Sequence, residues 1–343
     1  MDTDKLLNNE KGRGAIIFFV ISLCMMVGAV VLAWLVQRDF GRVDVSNVAY
    51  KNYNGIHIRA KLLRPVDASK DNPMPGVVYI HGYQNNRETG DAYCIEMAKR
   101  GFVVLNMDAI GRGNSGIPND PDSPDFDETY GGRTSLAYIK SLPFVDANSV
   151  GMMGHSLGAE MAYMVALDDP SVRALVITGF AYTEAASESS PKNMLMIFGK
   201  WDEFRGRMTG TRDVEKEWMG TPQSRKVIPV ENPELGITYG DFAKGTARRV
   251  FMPGTIHIQE SHDSKAISEA LEWMRKALLP SDQYWIDSHC QTWATKEWAT
   301  LAAMIACLAS LLPLGLMLLR TRFFAPLRGP VSKGYACSGK SYF

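Results

Sequence analysis

The chain has 343 residues, and its 37 Lys and Arg are matched by 37 Asp and Glu, for a net charge of zero. That balance, with no long basic stripe interleaved with aromatics, excludes a dedicated polyanion binder, so nucleic acid is not an expected partner. No C-x-x-C, H-E-x-x-H or carboxylate cluster appears either, and the sequence asks for no metal and no other cofactor.

The first predicted element is an uncharged run over residues 15–36. At about 22 residues it is long enough to cross a hydrocarbon core of about 30 Å as a helix. A cleaved signal peptide is the alternative, with Val31-Leu32-Ala33 a weak match to a cleavage site. The apolar run continues past it through Trp34-Leu35-Val36, which favours an uncleaved anchor. A second such run, residues 298–319, contains Pro313 and Gly315, which weaken a soluble helix but are common in membrane spans. Lys5, Lys11 and Arg13 precede the first run; Arg320, Arg322, Arg328, Lys333 and Lys340 follow the second. Short basic flanks stay cytoplasmic, so residues 1–14 and 320–343 are expected inside and everything between the spans outside. Trp34, Trp293 and Trp298 fall at the expected outer interface.

Between the spans, residues 43–279 are of a size for one domain with a single core, followed by a linker over 280–297. Residues 43–64 alternate apolar and polar and predict an antiparallel pair of edge strands turning near Asn54-Gly55. An alternation of strands and helices follows: strand 77–80, helix 89–100, strand 102–106, helix 126–141, strand 150–153, helix 157–167, then strands 174–178 and 194–198. A last strand over 247–252 and an amphipathic helix over 264–278 close the domain. Such alternation predicts an α/β class with a mostly parallel sheet covered on both faces. Residues 205–234 are the least patterned and read as an insertion.

Within this series, Gly154-His155-Ser156-Leu157-Gly158 reads G-x-S-x-G directly between a predicted strand and a predicted helix. Glycines without Cβ let the chain reverse sharply and hold Ser156 in a strained state with its hydroxyl exposed, the context of a nucleophile elbow. Further motifs accompany it in order: His81-Gly82-Tyr83, Asp108-Ala109-Ile110-Gly111-Arg112-Gly113-Asn114-Ser115, Gly199-Lys200-Trp201-Asp202 and Gly254-Thr255-Ile256-His257. Over residues 43–279 the chain therefore resembles the α/β-hydrolase superfamily, nearest to dienelactone-hydrolase-like and prolyl-oligopeptidase-like catalytic domains.

A serine hydroxyl needs a base, and an imidazole titrating near neutrality suits that task. Of six histidines, His57 lies in an early strand, His289 in the linker, His81 in the turn expected at the oxyanion, and His155 on the elbow itself. His257 and His262 remain. His257 follows the last strand, as the resemblance requires, and is preferred. The superfamily order Ser, acid, His asks for a carboxylate after strand 194–198; Asp202 fits, ahead of Glu203, expected to face away, and Glu184. By the same resemblance the backbone N–H groups of Tyr83 and Leu157 would hold the oxyanion. The loop 108–115 is read as shaping the site rather than binding phosphate, with Arg112 a possible substrate contact. Tyr83, Trp201, Phe204 and Tyr182 are candidates for an acyl pocket. Cys94 and Cys290 are the cysteines that an oxidising compartment could pair.

The expectation is a membrane-anchored serine hydrolase that cleaves a small-molecule or lipid-like ester, less readily an amide, through Ser156, His257 and Asp202. Two alternatives stay open: an extracytoplasmic peptidase of prolyl-oligopeptidase type, and a non-catalytic hydrolase-fold binding module on a membrane protein.

Overall fold

In chain order, a computed structural model describes residues 9–329. They fall into two units: Leu35–Ala294, and the terminal segments on either side of it. The terminal unit is built on α1 (Asn9–Gln37) and a last helix, Trp293–Leu318. The stretches Gly12–Gln37 and Trp293–Leu318 have mean hydropathies of 2.9 and 2.3 and are long and apolar enough to cross a membrane. Many of their large apolar side chains, among them Ile17, Met25, Leu308 and Leu312, are exposed, while Val36 and Trp293 are buried. Lys5, Lys333, Lys340 and Cys337 lie outside the described residues.

The central unit starts with the antiparallel pair β1 (Val43–Lys51) and β2 (His57–Pro65). Asn52 closes their turn, its side-chain oxygen accepting from the N–H groups of Asn54 and Ile56. Then come β3 (Met74–Ile80), α2 (Asp91–Ala98), β4 (Val103–Met107), α3 (Gly132–Lys140), β5 (Val145–His155), α4 (Leu157–Asp168), β6 (Val172–Thr178) and β7 (Met194–Ile197). Two short helices, α5 (Arg205–Thr209) and α6 (Pro222–Val227), precede β8 (Arg248–Phe251) and α7 (Ser264–Leu278); α8 is the Trp293–Leu318 helix.

The strands form one sheet in the order β1-β2-β4-β3-β5-β6-β7-β8, parallel from β4 to β8. β3, β4, β6 and β7 read as nearly unbroken apolar runs because both of their faces are covered. One apolar layer includes Leu136 and Ile139 of α3 and Met161, Ala162 and Val165 of α4. The other includes Ile95 and Met97 of α2 and Ile267, Leu271 and Met274 of α7. β5 is thus a central strand, and its C-terminal end is the middle of the sheet's edge.

Besides strands that begin earlier than expected, as β3 and β5 do, two helices depart from the sequence expectation. The helix expected over 126–141 begins only at Gly132. The Asp127 carboxylate accepts from the N–H groups of Thr129 and Gly131, and Tyr130 and Gly131 have φ of 47° and 99°, which closes a turn where helix would otherwise form. The helix expected over 89–100 opens as a 3-10 turn, Arg87–Gly90, and is α-helical only over Asp91–Ala98. The unpatterned stretch 205–234 holds α5, α6 and a π-turn, Val214–Trp218, whose Trp218 packs against Tyr182 at 5.4 Å between ring centroids.

Candidate active site

β5 ends at His155 and α4 begins at Leu157, so a single residue makes the turn between them. That residue is Ser156, at φ 53° and ψ −121°, a conformation costly for any residue with a Cβ. Its N–H donates to the Thr178 carbonyl at 2.8 Å, which fixes the turn to the end of β6. The flanking glycines are demanded by backbone rather than by flexible side chains. A Cβ on Gly154 would lie 2.3 Å from the Gly158 carbonyl oxygen, and one on Gly158 would lie 2.1 Å from that of Ile80.

The ends of β7 and β8 bring two further side chains to this turn. Ser156 Oγ is 2.9 Å from Nε2 of His257, and Nδ1 of His257 is 2.7 Å from Oδ2 of Asp202. These partners assign the tautomer: Nδ1–H donates to the carboxylate, leaving the Nε2 lone pair to accept from the hydroxyl. Asp202 is wholly buried, and its Oδ1 accepts from the Phe204 N–H at 2.6 Å. A buried carboxylate with both oxygens engaged cannot rotate, so the imidazole it holds cannot either. His262 lies at the far end of the same 3-10 turn, with its ring 5.7 Å from that of Trp293.

Tyr83 follows a turn that touches the elbow: a Cβ on Gly82 would be 3.4 Å from Cβ of Ser156. His81 locks this turn with both nitrogens. Nδ1–H donates to the Gly82 carbonyl at 2.8 Å, and Nε2 accepts from the Ala109 N–H at 3.1 Å. Burial pushes the His81 pKa down, in keeping with that neutral form. Leu157, the first residue of α4, has an N–H with no partner inside the helix. The loop 108–115 is tied to itself and its neighbours: Asp108 accepts from the N–H groups of Arg87 and Asn114, and Ser115 Oγ donates to the Asp108 carbonyl. The Arg112 guanidinium lies 4.8 Å over the Tyr83 ring.

A cavity of about 350 Å³ opens at Ser156, lined among others by Tyr83, Phe204, Arg207, Met208 and Ile258. Of the four aromatic candidates, Tyr83 and Phe204 line it. Tyr182 instead lies in the core with its hydroxyl 2.9 Å from Ser224 Oγ, and Trp201 is exposed outside the cavity. Among the described residues, those lining the cavity include no acidic one. Cys94 and Cys290 are both free thiols, and burial raises the pKa of Cys94.

Sequence reasoning misplaced Glu203 and missed Glu260. The Glu203 carboxylate turns inward and accepts from the His257 N–H at 3.2 Å. Glu260 is fully buried, with Oε1 accepting from the Gly199 N–H at 2.5 Å and Oε2 3.2 Å from Nε2 of His155. That His155 nitrogen also donates to the His257 carbonyl at 3.0 Å, so the elbow holds the histidine loop from behind. His155, His257 and Glu260 offer ligand-type atoms within 4.8 Å of one another. Since Nε2 of His155 carries its proton toward a carbonyl, it has no lone pair for a cation, and the cluster is a hydrogen-bond network. The only signal for Glu260 in the sequence was its place one helical turn after His257.

Residues 54–205 match the family model of X-Pro dipeptidyl-peptidases (S15 family), a stretch that includes Ser156 and Asp202 and ends before His257. Over 137 residues the chain is 30% identical to the uncharacterized protein PA2218 of Pseudomonas aeruginosa, covering 39% of this chain and 36% of the relative. It is 26% identical over 134 residues to the uncharacterized protein YcjY of Escherichia coli K12, covering 38% of this chain and 44% of that one. In these matches the chain spans less than half the length of either relative. The crystal structure of PA2218 superposes with a TM-score of 0.50 at 16% identity, over 69% of this chain and 94% of that structure. The chain has the α/β-hydrolase fold. Ser156 stands at the C-terminal end of the central parallel strand β5.

Proposed function

We propose that this chain is a membrane-anchored serine hydrolase that cleaves a carboxylic ester through an acyl-enzyme on Ser156. The observation that carries the reading is the unbroken hydrogen-bonded chain from Ser156 Oγ through His257 to Asp202 at the strand ends. His257 Nε2 takes the hydroxyl proton as Oγ attacks the ester carbonyl, and Asp202 stabilises the imidazolium that forms. The oxyanion is received by the N–H groups of Leu157 and Tyr83. His257 then gives its proton to the leaving alcohol. A water entering through the cavity repeats the sequence in reverse roles and frees the acid.

The S15 match favours a second reading, a peptidase releasing short peptides. Supporting the ester, no carboxylate among the described residues lining the cavity offers an ion-pair partner to a free N-terminal ammonium. Its lining of Tyr83, Phe204, Met208 and Ile258 suits an apolar acyl or alkyl group, including a lipid-like one. Fluorophosphonate labelling of the full chain tests the nucleophile, and a panel of esters of graded acyl length against aminoacyl anilides tests the class. Turnover confined to the anilides would replace the esterase by the peptidase. No labelling and no turnover would leave a binding module.

The anchoring rests on the two apolar helices, and the orientation on the basic residues outside them. In this reading both termini lie in the cytoplasm and the hydrolase domain outside the cell membrane. Protease added to intact cells should digest the region between the spans and spare a tag at either terminus; a digested N-terminal tag would overturn the orientation.

A further inference from the structure

Glu260 is used by no step above, although its carboxyl is the second one beside Nδ1 of the His257 ring. Oε2 lies 3.6 Å from Nδ1 of His257, against 2.7 Å for Asp202. Two glycines clear its place. A Cβ on Gly179, after β6, would lie 2.2 Å from Glu260 Oε2 and 2.8 Å from Cε1 of His257. A Cβ on Gly199, after β7, would lie 3.0 Å from Glu260 Oε1 and 2.6 Å from the Thr255 carbonyl oxygen. The carboxyl and the imidazole thus enter the sheet edge through one gap, bare at both strands. Tyr93 Oη on α2 donates to the Glu260 carbonyl at 3.0 Å and holds its backbone as well.

We propose that Glu260 is a positioning residue that fixes the His257 imidazole and the Asp202 carboxylate from behind; the proposal rests on the serine mechanism above. Two carboxylates around one Nδ1 cannot both be charged in a dry site at low cost. Glu260 is the one held protonated. Its pKa is pushed well up by burial first, then by the negative charge of Asp202 and by a hydrogen bond to it, against the Gly199 N–H, which favours the charged form. The groups facing it are Asp202, Glu203, His155 and His257, with Tyr79 from β3 and Tyr93 from α2. As a neutral acid Glu260 donates to Asp202 while accepting from Gly199 and His155, and it does not compete for the Nδ1 proton.

The test uses the full chain in detergent with Glu260→Ala, Glu260→Gln and Ser156→Ala side by side. Glu260→Ala is expected to lower kcat on an ester roughly 10- to 100-fold with KM nearly unchanged, as a displaced imidazole would. Glu260→Gln, which keeps a donor and an acceptor, should restore kcat to within about threefold of wild type and leave the acid limb of the kcat/KM pH profile where it was. Wild-type kcat in Glu260→Ala overturns the proposal, as does a Glu260→Gln acid limb displaced by about a unit or more. Should Glu260→Ala fail to fold, Glu260→Asp carries the same test, because it withdraws the acid by one methylene. A lowered kcat at constant KM then supports positioning, and wild-type kcat overturns it. Turnover that survives Ser156→Ala removes the serine mechanism itself, an outcome distinct from all of these.

Discussion

The elbow and the histidine loop meet through hydrogen bonds from Ser156 and His155, yet they are built in opposite ways. Elbow geometry comes from five consecutive residues: Gly154 and Gly158 clear two backbone clashes, and Ser156 takes the strained turn between them. The loop 255–262 is held almost wholly by residues distant in sequence. Trp201 N–H donates to the Thr255 carbonyl, Glu203 accepts from the His257 N–H, and His155 donates to the His257 carbonyl. Asp202 and Glu260 flank its ring, and the Phe204 ring meets it edge-on at 4.9 Å. A site half local and half distributed should fail abruptly when the elbow is altered and by degrees when the loop is.

The largest effect is expected from the elbow. Ser156→Ala should remove turnover and probe labelling, a loss on the order of 10⁴-fold or more, with the fold intact. Gly158→Ala tests the backbone rather than the nucleophile. Its Cβ meets the Ile80 and His81 carbonyl oxygens at 2.1 and 2.4 Å, neither of which can swing away as a side-chain tip does. We expect activity to fall roughly 100-fold or more together with a loss of thermal stability. A Gly158→Ala enzyme with wild-type kcat would show that the turn is not rigid and erase the contrast.

The same difference explains what was legible in the sequence. The elbow, the strand–helix alternation and α7 could be read because period, glycines and apolar runs are local signals. Gly199 to Asp202 and His257 could be aligned by their order after late strands. Glu203 could not, since its inward turn depends on the Asp202 N–H donating to the Gly199 carbonyl, which closes a tight turn with no local sequence signal. Nor could Glu260, whose partners are Gly199 after β7, His155 of the elbow and Tyr93 of α2. The late start of α3 has a local cause, the Asp127 side chain competing for backbone donors, and the pattern of apolar residues carries no trace of it.

Graded losses should mark the loop. Asp202→Asn keeps the shape but removes the charge that stabilises the imidazolium, and kcat should drop about 10³- to 10⁴-fold. Glu203→Gln should cost only a few-fold, because the Glu203 carboxylate touches the His257 backbone and not its ring, and an amide oxygen can still accept. His262→Ala should also be mild. Steady-state kinetics on one ester give all three. Equal losses for Asp202→Asn and Glu203→Gln would mean that loop placement, not charge, limits the rate; a severe His262→Ala with active His257→Ala would exchange the two histidines.

The smallest net effect lies in stability between about pH 4.5 and 6.5, where the two halves of the site pull in opposite directions. Burial first, then repulsion from His257, lowers the His155 pKa from 6.5 to about 3. Its contribution is therefore complete above about pH 6.5 and is lost as pH falls toward 3, because the unfolded chain then binds a proton that the fold does not. Glu260 behaves in reverse. With a folded pKa raised well above 4.5, its contribution is complete below about pH 4.5 and is lost as pH rises, since the unfolded chain ionises first. Each slope reaches at most about 1.4 kcal/mol per pH unit, so the two oppose each other between about pH 4.5 and 6.5 and act alone outside that window. Relative to wild type, Glu260→Gln should gain stability as pH rises above 4.5, and His155→Gln should gain as pH falls below 6.5. Urea unfolding of the detergent-solubilised chain across this range measures both differences. A constant offset for Glu260→Gln from pH 5 to 8 would mean that Glu260 ionises as an ordinary carboxyl, and the loop would then hold a second anion beside Asp202.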